Sequence, residues 1–511
     1  MGLFKQSSRR TVMTYSGIAI ALSFLAGCDS SSSDGDDIGY LKFYNASKTA
    51  PAIHLTIDED LETSETDELE ITYTAIEYGE ALNIAEISPD NYFFELAWQD
   101  GDSTERSELE LIYEDALTIQ KDTMSLVVLS DDIQTPFTQV LEIPIIDDDD
   151  DDVYDLFNVR VLNMYPSGDA VDIYISEDDQ TFNEAELIGS YVYRELSDNH
   201  KFDQGSYVFY LTAEGSDEVI FTSDSIDYSY SSQYIMAIRE NDGAGSSPYS
   251  IDRISNSSIT HYDDINAQAS VSFYNAVATT DYLEEYSGTA DIYLNGVDDS
   301  PEFSTLNFGE LSNALTVEHG DFSVDMNDSS NGSTILSNHL LSLPTNSNKT
   351  VFIFSDEQHV DEDGDGNVDE DGDGVVDEIE LNVYTLVAEN SGSSSIYSHD
   401  VNIINLVDNE DFTSVTTYFV RSNETIETAT YKKTVGFPGQ DDITLNNNTY
   451  QVYVIAEESG SEIILTSFEL ILDEESVDQF LVIENSTGSA TGYKATILNQ
   501  PGLTEADTDD E

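Results

Sequence analysis

Cysteine and cationic side chains are the scarcest features of this sequence of 511 residues. Cys28 is the only cysteine, so the chain forms no internal disulfide and must be held together by burial of apolar side chains. Only 17 residues are Lys or Arg, against 103 Asp or Glu, which gives a net charge of −86. A field of that sign repels nucleic acid, so we expect no nucleic-acid partner. Because 39% of the residues are apolar and 10% aromatic, the acidity does not indicate disorder.

Motifs of known catalytic chemistry are also missing. The sequence has no His-Glu-x-x-His zinc motif, no Gly-x-Ser-x-Gly elbow, no phosphate loop and no dinucleotide fingerprint. Its seven histidines are scattered without metal-ligand spacing. His54 alternates with Ile53 and Leu55, so we expect it to face solvent from a strand rather than to bind a ligand. The sequence therefore predicts a protein that is not an enzyme.

The first 27 residues resemble a bacterial secretory signal peptide. Lys5, Arg9 and Arg10 precede a mostly apolar stretch that is too short and too interrupted for a comfortable membrane span. The stretch ends in Leu-Ala-Gly before Cys28, which resembles the lipobox of bacterial lipoproteins, with a short N-terminal anchor helix as the alternative. The acidic, Ser-rich residues 28–38 predict a flexible tether. The resemblance implies lipidation of Cys28 and membrane anchoring in the bacterial cell envelope, outside the cytoplasm, with the inner and outer membrane both open.

One pattern of strands recurs four times along the chain. Each copy begins with an alternating strand that ends in an asparagine, and these asparagines lie roughly 110 to 130 residues apart, at Asn45, Asn163, Asn275 and Asn405. A second alternating strand, an aromatic strand after a turn and a continuous apolar strand follow in the same order. The apolar strands cover residues 126–129, 234–238, 351–354 and 480–483. The two-residue alternation, with Gly, Asn and Asp turns between the strands, predicts antiparallel β-structure.

The copies define the predicted domain organisation. About seven strands in about 110 residues is typical of an immunoglobulin-like sandwich. The predicted fold is all-β, with four tandem immunoglobulin-like antiparallel β-sandwich domains after the signal peptide and tether. Their predicted bounds are 39–146, 153–263, 264–396 and 397–500, with a poly-Asp linker at 147–152 and an acidic tail at 501–511. We expect the aspartate run to be a solvated spacer, with a cation site as the alternative.

The first three copies resemble the bacterial domain of unknown function 4397. Residues 44–52, residues 161–163 with 169–174, and residues 288–296 resemble the strand, short loop and Val-Asp-Val-Tyr strand with which that family begins, and residues 205–207 resemble its later Gly-Thr-Tyr strand. The fourth copy departs from the pattern, because Asp-Asn-Glu replaces the proline loop and Thr416 replaces the Asp. The resemblance implies extracytoplasmic, often tandem β domains, and no established activity.

An insertion in the third copy carries a calcium-type pattern. Calcium prefers about six to eight oxygen ligands, which a loop with Asp at positions 1, 3 and 5 and Gly at position 6 supplies. Residues 369–380 fit that loop completely, whereas residues 361–372 lack a ligand at position 12. The eight-residue step of the aspartates resembles thrombospondin type 3 calcium repeats, and the strand-like flanks exclude a helix-loop-helix EF-hand. The predicted ligands of a structural Ca²⁺ are Asp361, Asp363, Asp365, Asn367, Asp369, Asp371, Asp373, Val375, Asp377 and Glu380. A solvated acidic hairpin tip is the alternative.

These features favour a non-catalytic, lipid-anchored cell-envelope protein that acts as a spacer, an adhesive or a structural surface, with a calcium-stabilised loop. A module that binds a cell-surface glycan or protein partner is the first alternative, for which residues 227–234 are the candidate exposed aromatic segment. The aromatics at 92–94, 207–210 and 450–453 are expected in the cores. An envelope hydrolase with an unrecognised site is the second alternative.

Overall fold

The computed structural model of the protein describes residues 37–60, 69–100, 106–146, 156–166, 169–297, 300–361, 368, 376 and 378–501. One compact unit begins at Ile38 and contains all the strands of the described residues. Cys28, the aspartate run 147–152 and residues 502–511 lie outside the described residues. The described residues form an all-β protein without an α-helix, as predicted.

The strands fall into four successive sandwiches, numbered 1 to 4 in chain order. Sandwich 1 contains β1 (Gly39–Asn45), β2 (Ile53–Asp58), β3 (Glu70–Ile76), β4 (Ala85–Ile87), β5 (Asn91–Trp98), β6 (Glu110–Thr118), β7 (Thr123–Ser130) and β8 (Phe137–Pro144). Sandwich 2 contains β9 (Leu156–Asn163), β10 (Val171–Glu177), β11 (Glu186–Tyr191), β12 (His200–Asp203), β13 (Gly205–Ala213), β14 (Val219–Thr222), β15 (Ile226–Tyr228), β16 (Gln233–Glu240), β17 (Tyr249–Ile254) and β18 (Ile259–Tyr262).

Sandwiches 3 and 4 repeat the same order. Sandwich 3 contains β19 (Ala269–Ala276), β20 (Thr289–Leu294), β21 (Phe303–Asn307), β22 (Leu315–Val317), β23 (Gly320–Asp328), β24 (Thr334–Leu343), β25 (Asn348–His359) and β26 (Ile379–Glu389). Sandwich 4 contains β27 (Ser398–Leu406), β28 (Ser414–Val420), β29 (Tyr431–Gly436), β30 (Gly439–Asn446), β31 (Asn448–Glu458), β32 (Ser461–Leu472), β33 (Gln479–Asn485) and β34 (Tyr493–Asn499). Short 3-10 turns cover Arg106–Glu108, Phe182–Glu184, Asp281–Leu283 and Ile426–Thr428.

Every sandwich is built from the same two sheets. We call the sheet that contains the first strand the pairing sheet; its orders are β4-β1-β7-β8, β12-β9-β16-β17-β18, β22-β19-β25-β26 and β30-β27-β33-β34. The outer sheets have the orders β3-β2-β5-β6, β11-β10-β13-β14 with β15 also beside β13, β21-β20-β23-β24 and β29-β28-β31-β32. The first strand of each sandwich is parallel to the apolar strand near the end of the copy, and their other neighbours are antiparallel; the parallel pairs are β1–β7, β9–β16, β19–β25 and β27–β33. Each sandwich has at least eight strands rather than the expected seven, because an extra strand pairs with the free edge of the first strand. These extra strands are β4, β12, β22 and β30.

The repeated asparagine links the two sheets of each sandwich. Asn45 donates from Nδ2 to the carbonyl of Ile76 in the outer sheet at 3.1 Å, and its Oδ1 accepts from Ser47 N at 3.1 Å. The same two bonds recur at the other three positions of the repeat, Asn163, Asn275 and Asn405. All four side chains are buried, and their hydrogen-bonding capacity is therefore used inside the fold.

The aromatic strand begins with a buried tyrosine in three of the sandwiches. The hydroxyls of Tyr92, Tyr207 and Tyr450 donate to the carbonyl four residues upstream, at 3.1, 2.7 and 2.7 Å. A tyrosine that bonds back to the upstream backbone is typical of immunoglobulin-like sandwiches. Phe322 takes this place in sandwich 3 and has no hydroxyl to donate. The prediction that these tyrosines pack in the cores is confirmed.

Candidate functional site

The acidic insertion of sandwich 3 closes the hairpin of β25 and β26. These strands pair antiparallel as far as His359 and Ile379, and Val360 N donates to Glu378 O at 3.1 Å directly beyond them. The predicted calcium loops therefore belong to a hairpin connection between two strands, which agrees with the strand-like flanks of the sequence.

Two of the ten predicted calcium ligands lie among the described residues. Asp361 is exposed beyond the end of the hairpin stem, and Glu380 is exposed in β26, opposite Gln358. The other eight lie outside the described residues: Asp363, Asp365, Asn367, Asp369, Asp371, Asp373, Val375 and Asp377. Within the part of the chain that the structure describes, no group of three or more His, Cys, Asp or Glu side chains is arranged to hold a metal ion. Calcium binding by the insertion stays a prediction.

The stem of this hairpin contacts the first loop of sandwich 4. Glu357 N donates to Asp408 Oδ2 at 2.8 Å, and His359 Nδ1 lies 3.0 Å from Glu410 Oε1. Burial, together with repulsion from neighbouring carboxylates, raises the pKa of both Glu357 and Asp408. Acidic groups thus come together at the base of the insertion, where sandwiches 3 and 4 meet.

The pairing sheets are buried on both faces. In sandwich 1, Phe43 and Val127 point into the core between its own two sheets, whereas Leu126 and Val128 point towards sandwich 2. A strand that is covered on both faces has no polar side, and its sequence is a continuous apolar run rather than an alternation. This double burial explains the apolar strand near the end of every copy.

Two apolar cores join the sandwiches in pairs. Between sandwiches 1 and 2, the core consists of Tyr44, Met124, Leu126, Val128, Ile143, Leu162, Met164, Ile235, Ala237 and Ile254. Between sandwiches 3 and 4, it consists of Tyr274, Phe352, Phe354, Ala388, Ile404, Leu406, Phe480 and Val482. The modules therefore associate face to face as a 1–2 pair and a 3–4 pair.

A buried polar network accompanies the apolar core of the 1–2 pair. The Tyr44 hydroxyl donates to Asp252 Oδ2 at 2.7 Å, and the carboxylate of Asp252 is 0% exposed. Arg239 Nε lies 3.0 Å from the same oxygen, and His261 Nδ1 lies 2.8 Å from Oδ1. The hydrogen bond to Asp252 raises the pKa of His261. Sandwich 1 contributes Tyr44 and also Glu80, whose Oε1 lies 3.3 Å from His261 Nε2.

The 3–4 pair has the same arrangement with the charges exchanged between strands. The Tyr274 hydroxyl donates to Glu484 Oε1 at 2.8 Å, and Lys494 Nζ lies 2.9 Å from the same oxygen. Glu484 and Arg239 occupy equivalent places, because each follows the residue that pairs with the repeated asparagine of the first strand. Burial raises the pKa of Glu484.

Further contacts connect the two pairs. Trp98 of sandwich 1 stacks on Tyr397, at the start of sandwich 4, with ring centroids 5.0 Å apart and planes 5° from parallel. Asn241 of sandwich 2 and Asn346 of sandwich 3 exchange amide hydrogen bonds of 3.2 and 2.9 Å. Each sandwich therefore contacts two others, and the four form one compact unit.

A cleft of about 430 Å³ opens between sandwiches 1 and 2. Its lining includes Tyr78 and Tyr193, which occupy the same loop of the two modules, and Met164. Lys48 and Glu240 also line it, and their Nζ and Oε1 atoms lie 2.6 Å apart. The volume falls in the range of pockets that take small ligands.

Two expectations about exposed side chains are corrected by the structure. His54 is only 9% exposed, because β2 is a central strand between β3 and β5, and burial lowers its pKa. In the segment 227–234, Tyr228 is buried and stacks on Phe157 at 4.1 Å, and Tyr234 is buried as well. Tyr230, at 74% exposure, is the residue of this segment that presents a ring to solvent.

Sequence reasoning missed the polar residues between the sandwiches. Arg239 and Glu484 directly follow the apolar strands 234–238 and 480–483, and nothing in a single copy indicates that these charged side chains or Asp252 are buried against another sandwich. One signal was present: Tyr precedes the repeated asparagine in copies 1 and 3, whereas Leu162 and Ile404 precede it in copies 2 and 4. That alternation distinguishes the two members of each pair.

Comparison with known proteins leaves the family open. No protein-family model matches the chain, and no curated protein does. Among solved structures, the Bacillus anthracis TIE protein is 8% identical, with 90% of this chain and 76% of that chain covered and a TM-score of 0.15. The chicken CNTN1 FN1–FN3 domains are 10% identical, with 60% and 96% covered and a TM-score of 0.12. TM-scores this low carry no argument about function, and in the described residues no helix is long and apolar enough to span a membrane.

Proposed function

We propose that this chain is a non-catalytic cell-envelope protein, anchored by lipid on Cys28, whose four sandwiches form a compact structural or adhesive surface module. The observation that carries the proposal is the pairing of the sandwiches through two apolar cores. Burial of one large apolar side chain contributes about 1.5 to 3 kcal/mol, so faces of this size are not left in water by a stable module. The two sandwiches of each pair are therefore expected to stay associated and to function as one unit.

Compact pairing favours a structural or adhesive surface over a spacer. A spacer gains reach when its modules follow one another end to end. Here the modules pack face to face, and the contacts Trp98–Tyr397 and Asn241–Asn346 join the pairs as well. Such an arrangement gives a broad acidic surface and a shorter reach than four modules placed end to end.

The calcium-type insertion would add a stiffened element to that surface. Its stem is already held against sandwich 4 through Asp408 and Glu410. Without a cation the closely spaced carboxylates of the loop repel one another, and a bound Ca²⁺ would neutralise them and fix the loop. The support for this step is the ligand pattern of residues 369–380 and the hairpin that presents it.

Calcium titration by calorimetry tests the insertion. We expect the protein to bind calcium and the variant Asp369→Ala/Asp373→Ala to lose the sites of the insertion. The matched control is Asp148→Ala/Asp150→Ala in the aspartate run, which removes the same charge and should keep binding unchanged. A loss in the control that equals the loss in the loop variant would indicate nonspecific cation condensation and overturn the calcium-loop proposal.

Metabolic labelling with a radioactive fatty acid tests the anchor. In a bacterial host, label should appear on the wild-type chain in the membrane fraction and be absent from Cys28→Ser. An unlabelled wild-type chain would contradict lipid anchoring and leave the packing of the sandwiches untouched as a separate result.

A glycan- or protein-binding module is the second candidate, and the cleft between sandwiches 1 and 2 favours it. Tyrosine rings beside Lys48 and Glu240 combine flat apolar walls with polar groups, which suits a sugar. A glycan array probed with the wild type and with Tyr193→Ala tests this candidate. Binding that survives the substitution would place the glycan elsewhere.

A further inference from the structure

Two side-chain oxygens on the outward face of the sandwich 3 outer sheet are buried without a partner. Asp325 and Asn327 are 6% and 9% exposed, and Asp325 Oδ2 and Asn327 Oδ1 have no hydrogen-bond partner among the described residues. Both side chains lie on the same face of β23, because Val324 and Met326, which alternate with them, point into the core. A buried carboxylate oxygen without a partner is costly, so it favours a cationic ligand.

A third oxygen-bearing side chain on the neighbouring strand lies opposite Asn327 and diagonal to Asp325, which itself pairs with Tyr293. Asp291 of β20 pairs directly with Asn327 of β23 in the antiparallel ladder. Facing residues in such a ladder have Cβ atoms about 4.5 to 5.5 Å apart. A calcium ion binds oxygens at about 2.3 to 2.6 Å, so an ion between the two strands is within reach of side chains from both.

Bulges in the two flanking strands hold one oxygen of each carboxylate. Thr305 in β21 has a φ of +59°, and its N–H donates to Asp291 Oδ1 at 2.8 Å. Asn338 in β24 has a φ of +56°, and its N–H donates to Asp325 Oδ1 at 3.1 Å. β-Bulges commonly reorient groups next to functional sites. Here the bulge in β21 fixes Asp291, and the bulge in β24 fixes Asp325.

We propose that Asp291, Asp325 and Asn327 bind a hard divalent cation of the calcium type on this sheet. Two carboxylates and one carboxamide offer oxygen ligands and two negative charges, and water completes the coordination of such ions. The site does not require a third acid, since its third ligand is the carboxamide of Asn327. It is separate from the acidic insertion and does not depend on it.

This combination of side chains belongs to sandwich 3. The same cross-strand pair in the other sandwiches, directly after the first core residue of the second strand, is His54–Ala97, Asp172–Thr212 and Thr416–Ile455. Asp172 is the one carboxylate among them, and its Oδ2 accepts from Gly215 N at 2.8 Å. In sandwich 2 the acid therefore stabilises a turn, and it has no amide or acid opposite it.

Calcium calorimetry on the variant Asp369→Ala/Asp373→Ala tests the proposal apart from the insertion. We expect that variant to retain one calcium equivalent, and the further change Asp325→Asn to abolish it. Asp321→Asn is the matched control, because it removes an exposed carboxylate from the same strand, and it should leave the equivalent in place. Calcium binding that is equal with and without Asp325→Asn would overturn the site, as would no binding in the loop variant. Failure of the insertion alone would show as equal binding by the wild type and the loop variant.

Thermal melting distinguishes a cation site from a structural cluster, because the two predict changes in Tm of opposite sign for Asp325→Asn in EDTA. In EDTA, Asp325→Asn should raise Tm, because it removes a buried negative charge whose Oδ2 has no partner, and it should also abolish the rise in Tm that calcium gives the loop variant. Asn327→Asp adds a third carboxylate and should tighten calcium binding about tenfold, which corresponds to about 1.4 kcal/mol. A lower Tm of Asp325→Asn in EDTA, with unchanged affinity of Asn327→Asp, would make the cluster structural and overturn the proposal.

Discussion

The 1–2 pair and the 3–4 pair both bury the apolar faces of their pairing sheets, but they differ in which strand carries the buried carboxylate and which carries its cation. In both, a tyrosine of the first sandwich donates its hydroxyl to a carboxylate of the second, at 2.7 Å for Tyr44 and 2.8 Å for Tyr274. In the 1–2 pair the carboxylate, Asp252, lies on β17, and its cation, Arg239, lies on β16, the strand that is parallel to the first strand. In the 3–4 pair these places are exchanged, because Glu484 lies on β33, the strand parallel to the first, and its cation, Lys494, lies on β34.

The exchange of charges indicates how partners are distinguished. All four pairing sheets present an apolar face, and burial of apolar surface is non-directional, so it does not by itself select one partner over another. A tyrosine hydroxyl that meets a cation instead of a carboxylate loses its acceptor and leaves a buried charge unpaired, which disfavours the wrong partner. We infer that the apolar cores supply most of the free energy of pairing and the polar networks supply its specificity.

The largest effect is expected from Asp252→Ala. The substitution removes the buried carboxylate beside Arg239, which keeps only the partly exposed Asp242 at 3.1 Å, and it removes the acceptor of Tyr44, so we expect a loss of about 3 to 5 kcal/mol in the free energy of unfolding. Urea denaturation followed by fluorescence measures it. The double variant Arg239→Met/Asp252→Leu should recover most of the loss, since an apolar replacement of a buried ion pair is often neutral. A loss below about 1 kcal/mol in the single variant would show that water enters the network.

The hydroxyls of Tyr274 and Tyr44 should contribute unequally. Glu484 Oε1 accepts from Tyr274 and Lys494, while Oε2 has no partner among the described residues. Asp252 keeps Arg239 and His261 when Tyr44 is changed. A hydrogen bond to a charged group contributes about 1.5 to 3 kcal/mol, so we expect Tyr274→Phe near the top of that range and Tyr44→Phe near or below its bottom. Equal losses in urea denaturation would contradict the difference between the pairs.

Local patterns predicted the modules, and contacts far apart in sequence escaped prediction. The alternation around Asn45 and the turn before Tyr92 are properties of a few neighbouring residues, and they sufficed for the strands and the sandwich architecture. Tyr44 and Asp252, by contrast, meet across 208 residues, and nothing in either segment specifies the other. The same holds for the cluster of Asp291, Asp325 and Asn327, which depends on the register between two strands. The calcium-type pattern of the insertion could be predicted because its template lies within twelve consecutive residues, and calcium binding there stays a prediction.

Lys42 is expected to destabilise the 1–2 pair at neutral pH. It is buried, its Nζ donates to Asn256 O at 3.3 Å, and burial lowers its pKa to about 8 from 10.5. Between those two values the unfolded chain binds more protons than the folded chain, so stability rises with pH from about 8 towards 10.5. Lys42→Met should stabilise the protein at pH 7 by about 1 to 3 kcal/mol and remove that rise.

The 3–4 pair offers the matched comparison for this change. Ser272 occupies the place of Lys42, and its buried hydroxyl has no partner among the described residues. Ser272→Ala should stabilise slightly and without dependence on pH. Urea denaturation between pH 7 and 9.5 distinguishes the two substitutions. A wild-type free energy of unfolding that does not change over that range would show that folding does not lower the pKa of Lys42.

The smallest effect is expected at the rim of the 1–2 pair. Lys48 and Glu240 are paired at 2.6 Å, but their side chains are 26% and 42% exposed. Exposed pairs contribute about 0.2 to 1 kcal/mol, and salt screens them, so Glu240→Gln should cost less than about 1 kcal/mol and almost nothing in 1 M salt. Urea denaturation at low and high salt measures this. A loss above about 2 kcal/mol at both salt concentrations would make the pair part of the interface. A negligible loss would leave both side chains free to exchange partners with a ligand in the cleft, because the packing of the two sandwiches does not depend on them.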